Sequence, residues 1–227
     1  MSIFSKDHFY VCSSKLWMSD IAERLSVLTG KKFHLIQTKE QLQEALSKGF
    51  RQTLFFVHWS FILKEDVYNN HDCVMFHMTD LPFGRGGSPL QNLIIRGHKN
   101  TQISSFLCDG GVDTGPIFLK KPLDLSGRAV EIFERAQYIM LDMIVDLIQK
   151  NPAPVVQTGE VTEFKRRTAE QGDLQLAQSF EQIYDMIRML DAPGYPAAFL
   201  KTQHGHFEFF NVQIIDGEIK AEVRIKK

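Results

Sequence analysis

The sequence predicts an α/β fold: a Rossmann-like, mostly parallel sheet with flanking helices, followed by a small C-terminal subdomain of one helix and antiparallel strands. Three observations carry this. As far as Trp59, short apolar runs alternate with amphipathic stretches in the order strand, helix, strand, helix, strand, which builds a parallel sheet with right-handed crossovers. Over Ser126 to Lys150 the apolar residues recur at three and four, the period of a long helix. After Phe199 come short β-rich runs separated by turn residues, the pattern of a small antiparallel sheet.

Phe9-Tyr10-Val11-Cys12 reads as the first strand, broken by Ser13-Ser14. Ile21, Ala22, Leu25 and Leu28 then share one face of a helix from Ser19 to Leu28, with Asp20 and Glu23 at its positive end and Gly30 as its stop. Lys32 to Gln37 is the second strand, Lys39 to Lys48 the second helix, closed by Gly49, and Leu54 to Trp59 the third strand. Val74-Met75-Phe76 reads as a buried strand, which puts His77 at its carboxyl end, where open α/β sheets present ligands. Gln91 to Gly97 is a short helix with Ser88 as cap and Pro89 in its first turn, and Ile103 to Leu107 is another β-rich run. The long helix is capped by Ser126 and ended by Asn151-Pro152, its Ile, Phe and Met stripe facing the core. Pro152-Ala153-Pro154 marks a boundary, dividing a catalytic domain at 1–153 from a subdomain at 154–227. Beyond it lie a basic run at Lys165-Arg166-Arg167, a helix from Ser179 to Asp191, and strands at Phe199–Thr202, Phe207–Val212 and Glu218–Val223, with turns at Gly205 and Asp216-Gly217.

The charge balance, 26 basic against 27 acidic residues, offers no whole-chain attraction for phosphate backbones, and no nucleic-acid partner is expected. Cys12, Cys73 and Cys108 have neither disulfide-type nor C-x-x-C spacing; two of them lie in apolar runs and read as buried, reduced thiols, which fits a cytoplasmic protein. No secretion signal is read from Met1 to Lys6, and the most apolar segment, Leu54 to Leu63, falls well short of the roughly 20 residues that span a membrane. The first strand is not followed by G-x-G-x-x-G, which disfavours a dinucleotide. His204 and His206 have no third ligand nearby in sequence, so no metal is expected.

The residues able to do chemistry lie between Asp72 and Pro116. His77 precedes a loop, Leu81 to Pro89, rich in glycine and proline; Asp113 lies in a second glycine-rich turn, Asp109 to Pro116. Together, His77, Leu81-Pro82, Arg85-Gly86, Pro89 and Gly111-Val112-Asp113-Thr114-Gly115 resemble the folate-dependent formyltransferases. The likeness extends through Phe164 to Thr168, Tyr184 to Asp191, Gly194-Tyr195-Pro196 and Phe199, which look like the sugar-specific members.

The resemblance implies the formyltransferase fold and 10-formyltetrahydrofolate as co-substrate. It implies His77 and Asp113 as catalytic residues; Trp59, Ser60, Phe61, Ile62, Asp109, Gly110, Gly111 and Val112 around the folate; and Pro82, Arg85, Gly86 and Arg188 on the acceptor. The acceptor expected is the amine of a nucleotide-linked 4-amino-4,6-dideoxysugar of the pseudaminic-acid type, because the length leaves no room for the C-terminal domain of a methionyl-tRNA enzyme. Glycinamide ribonucleotide transfer and a non-catalytic folate-binding relative stand as alternatives, and a homodimer is left open. One departure from the family's pattern is plain: its usual Asn two residues before the His is Met75 here.

Overall fold

The computed structural model describes residues 3–47, 49–59 and 61–227. Lys48, the expected end of the second helix, and Ser60 lie outside the described residues, as do Met1 and Ser2. By their contacts the residues form two compact units, Met1–Arg85 with Gln102–Pro122 and Ala136–Thr162, and Gly86–Thr101 with Leu123–Arg135 and Glu163–Lys227. The chain therefore passes between units several times, where the sequence suggested one cut after residue 153.

The first unit opens with β1 (His8–Cys12), α1 (Ile21–Thr29), β2 (Lys32–Ile36), α2 (Lys39–Leu46), β3 (Thr53–Phe56), α3 (Glu65–Asn70) and β4 (Asp72–His77). Along the chain there follow β5 (Arg85–Gly86), α4 (Pro89–Ile95, in the second unit), β6 (Asn100–Leu107), β7 (Ile117–Asp124) and α5 (Ala129–Lys150). Six strands form one sheet in the order β2-β1-β3-β4-β6-β7. β1 pairs in parallel with β2 and β3, and β3 with β4, whereas β6 runs antiparallel to β4.

Strand register sorts the side chains into two layers, because alternate residues point to opposite faces. Tyr10, Cys12, Leu54, Phe56 and Cys73 form one buried cluster, against which Trp59, Val67, Tyr68, Met75 and Cys108 pack. Burial pushes all three thiols up, so they behave as small apolar groups at neutral pH. On the other face Phe55, fully buried, lies 6.1 Å from Phe4, 5.7 Å from Phe9 and 6.1 Å from Phe33 between ring centroids. The amino end of β4 is pinned by charge: the buried Asp72 carboxylate meets Lys6 at 3.2 Å and Arg51 at 2.8 Å.

Helix ends follow local rules in part. Gly30 closes α1 in the left-handed region, and the Thr38 side chain caps α2 by accepting from the Gln41 N–H. Ser88 does not cap α4: it adopts φ 51° and its hydroxyl instead accepts from the Arg167 N–H at 3.1 Å. Nor does Ser126 cap α5, which begins three residues later; Ser126 donates to Asp124, and Glu131 takes the Arg128 N–H at 2.8 Å.

The second unit holds β8 (Glu163–Phe164), α6 (Phe180–Arg188), β9 (Ala198–Thr202), β10 (Gly205–Ile215) and β11 (Glu218–Lys226). The last three form an antiparallel sheet in the order β11-β10-β9, with a bulge between Phe210 and Gln213. Ser179, where the sequence expectation began this helix, caps α6 by accepting from the Gln182 N–H. Among the described residues, no helix is long and apolar enough to cross a membrane, and no cluster of three or more His, Cys, Asp or Glu could hold a metal ion.

Removing the Phe55 ring leaves a void bounded by three other rings that cannot close on it. Phe55→Ala is expected to cost about 3–5 kcal/mol, read as a lowered urea midpoint with an unchanged slope.

Candidate active site

His77 ends β4 on the same sheet face as Cys73 and Met75, and it is 8% exposed. Its Nε2 lies 2.8 Å from the carbonyl oxygen of Gly84. A carbonyl only accepts, so Nε2 carries a proton and donates it there, leaving Nδ1 as the nitrogen that can take and return a proton. Nδ1 faces the Asp113 carboxylate at 3.5 Å. That is an ion-pair separation, longer than a full hydrogen bond.

The two side chains meet by an indirect path. Because β6 is antiparallel to β4, its end returns beside Cys73, whose carbonyl accepts from the Cys108 N–H at 2.8 Å. From there to His77 is roughly 13 Å along the strand. The turn from Asp109 to Gly115 must double back over that distance, and its sequence is fitted to do so. The Asp109 carboxylate accepts from Thr114 Oγ1 at 2.6 Å and from the Gly111 N–H at 3.3 Å. Asp113 adopts φ 53°, a region Asp tolerates better than most residues. A Cβ on Gly115 would stand 1.6 Å from the Leu107 carbonyl oxygen, which only glycine permits.

The loop after His77 is held separately. Thr79 Oγ1 donates to the same Gly84 carbonyl at 3.3 Å, and Ser104 Oγ donates to the Thr79 carbonyl at 2.7 Å while accepting the Leu81 N–H at 3.2 Å. Leu81–Pro82 is cis, and Lys120 Nζ donates to the Leu81 carbonyl at 2.6 Å. Arg85 leaves this loop half-buried, its Nε and Nη2 donating to Gln157 Oε1 at 3.2 and 2.7 Å. The Gln157 amide in turn donates to the carbonyls of Asp113 and Gly115, each at 2.8 Å. Sequence reading gave Gln157 no role, since an isolated amide in an irregular stretch has no pattern around it.

Trp59, Phe61 and Ile62 line a cavity of about 380 Å³ walled by α2 and α3, while Ser60 lies outside the described residues. Trp59 Nε1 is buried, with no hydrogen-bond partner among the described residues. Neither His77 nor any of Asp109, Gly110, Gly111 and Val112 lines that cavity. Gly110, at φ 92°, packs so close to the Tyr68 hydroxyl that a Cβ would come within 2.9 Å of it. Val112 is exposed.

Two of the expected acceptor residues have other work. Arg188 is 3% exposed, its Nε on Asp185 at 2.6 Å and its Nη1 on the carbonyls of Leu125 at 2.7 Å and Gly127 at 2.9 Å. Its guanidinium is thus spent on holding α6 to the Leu125–Gly127 turn, which corrects the expectation that it binds substrate. At Gly86 a Cβ would stand 2.5 Å from the Phe164 carbonyl oxygen, so that glycine serves a close backbone approach.

Fold and site together define a Rossmann-like α/β protein with an imidazole and a carboxylate brought to one point of its sheet. A family model described as "Methionyl-tRNA formyltransferase, C-terminal domain" matches residues 169–226. This overturns the expectation, drawn from length, that no such segment is present. The structure titled methionyl-tRNA formyltransferase from Clostridium thermocellum is 43% identical, covers 98% of this chain and 100% of its own, and superposes with a TM-score of 0.91. The methionyl-tRNA formyltransferase of Thermodesulfovibrio yellowstonii is 25% identical over 162 residues, 69% of this chain and 52% of that protein. The chain thus spans about half the length of the curated relatives it matches first. A likely sugar N-formyltransferase from Mycobacterium tuberculosis shares the fold, with a TM-score of 0.69 at 16% identity over 88% of this chain and 94% of its own. The chain belongs to the folate-dependent formyltransferase family.

Placing a methyl at Gly115 forces the Asp113 turn off the end of β6. Gly115→Ala is expected to lower stability by about 1–3 kcal/mol, measured by urea unfolding, and to speed amide exchange between Asp109 and Gly115.

Proposed function

We propose that this protein transfers the formyl group of 10-formyltetrahydrofolate to a primary amine, with His77 moving the proton and Asp113 supporting it. The observation that carries this reading is the meeting of His77 Nδ1 and Asp113 at 3.5 Å while Nε2 is committed to Gly84. Bound folate supplies a formyl group already activated on nitrogen. The attacking amine must be uncharged and must lose a proton as its bond to the formyl carbon forms; the departing nitrogen must gain one. His77 Nδ1 serves both steps, and the Asp113 carboxylate stabilises the imidazolium between them. Met75, half-buried in β4 between its register partners Phe56 and Phe106, has no hydrogen to donate where the family usually carries an amide. In this reading the imidazolium itself answers the charge that develops on the formyl oxygen. The aromatic cavity at Trp59, Phe61 and Ile62 supports these residues as the wall for a flat ring.

The names of the sequence relatives support the amine of methionyl-tRNA as acceptor. Whole-chain charge balance argued against nucleic acid, but it does not describe a local patch. Burial and the neighbouring Arg96 both depress Arg167, and Arg96, Lys165, Arg166 and Arg167 enter no ion pair among the described residues. The nucleotide-linked amino sugar is the second reading, favoured by the tail motif around Tyr184 to Asp191.

Purified protein is incubated with 10-formyltetrahydrofolate and, separately, with methionyl-tRNA and a panel of nucleotide 4-amino-4,6-dideoxysugars. A product heavier by one formyl unit is expected with one acceptor class, and His77→Ala should lower kcat by about 10²–10⁴-fold. Folate binding without product from any acceptor would overturn the catalytic reading.

A further inference from the structure

Gln157 uses every hydrogen-bonding position an amide has. Its oxygen accepts twice from Arg85, at 3.2 and 2.7 Å, and its nitrogen donates twice, to the carbonyls of Asp113 and Gly115, both at 2.8 Å. The residue is 72 positions from Arg85 and 44 from Asp113, so it ties together two loops far apart in the chain. Its own segment is fixed just upstream, where Val155 and Ile117 exchange N–H to carbonyl bonds of 2.8 and 2.7 Å. The rigid end of the clamp is therefore β7, and the parts it steadies are the Asp113 turn and the Arg85 side chain.

We propose that Gln157 is a positioning residue that sets the Asp113 carboxylate against His77 and holds Arg85 in register with it. The inference rests on the formyl-transfer reading for its kinetic consequence, and on geometry alone for its structural one. The chemistry of the amide is what the site requires. A carboxylate at 157 would still accept from Arg85, but it would turn oxygen toward two carbonyl oxygens and release the Asp113 turn. Alanine would release both loops.

The test is a double-mutant cycle in the full chain, combining Gln157→Ala and Gln157→Glu with Asp113→Asn. Circular dichroism confirms folding of each protein. Two quantities are read: kcat and KM with 10-formyltetrahydrofolate and whichever acceptor is turned over, and the ¹⁵N resonance of His77 Nδ1. Gln157→Glu is expected to lower kcat about tenfold with KM for the acceptor nearly unchanged; Gln157→Ala lowers kcat and raises KM. Both should shift the His77 resonance in the wild-type background and leave it unmoved in Asp113→Asn, because neighbours acting through one another are not additive. Additive losses, or a His77 resonance indifferent to Gln157, would overturn the proposal. The resonance is read without turnover, so absence of activity in every protein would count against formyl transfer and leave the positioning role decided by the resonance.

Discussion

The Gly84 carbonyl decides what His77 can do. By accepting a hydrogen bond from Nε2–H, with N and O 2.8 Å apart, it fixes the ring's orientation and leaves only Nδ1 for chemistry. A histidine free to rotate would present either nitrogen, and the carboxylate beside it would select neither. Much of the surrounding structure holds this one bond. Thr79 shares the same carbonyl, Ser104 ties Thr79 to Leu81, and Gly84 adopts φ 73° to turn its carbonyl toward the ring. The strand that carries His77 is in turn anchored at its other end by the buried Asp72 between Lys6 and Arg51.

Asp113 arrives by a different route and depends on different residues. An antiparallel neighbour of β4 delivers its turn at the wrong end, and the return is made possible by Gly115 against Leu107, by the Asp109 turn and by the Gln157 clamp. The site is therefore assembled from two loops, each braced by residues of its own and both tied to Gln157, with His77 Nδ1 and the Asp113 carboxylate 3.5 Å apart.

The alternating first half of the sheet was legible because its strands are buried on both sides and its helices have clear caps: Gly30 and Thr38 do what their types predict. His77 and Asp113 were legible because each is a polar residue beside a glycine-rich loop, within a pattern that resembles the formyltransferases. Other features were hidden for physical reasons. α3, with the sequence EDVYNN, is too short and polar to show a period, and β7 contains Lys120-Lys121-Pro122 because it is the sheet's edge. Ser88 and Ser126 looked like caps, yet their hydroxyls go to Arg167 and Asp124. Arg188 sat inside a recognised motif, and no sequence pattern announces that two backbone carbonyls will claim its guanidinium. The C-terminal segment was misjudged from length, which measures how much chain there is and says nothing of which family it matches.

Proton chemistry and acceptor recognition make different demands on the fold. His77 and Asp113 belong to the first unit, whereas Arg96 and Lys165–Arg167, the basic residues of the proposed acceptor surface, belong to the second. The claim underneath all of it is where the proton sits on His77. Neutron diffraction from a deuterium-exchanged crystal at neutral pH locates it directly. Deuterium on Nε2, directed at the Gly84 oxygen, is the result predicted; a bare Nε2 with deuterium only on Nδ1 would contradict the assignment of Nδ1 as the proton-carrying atom.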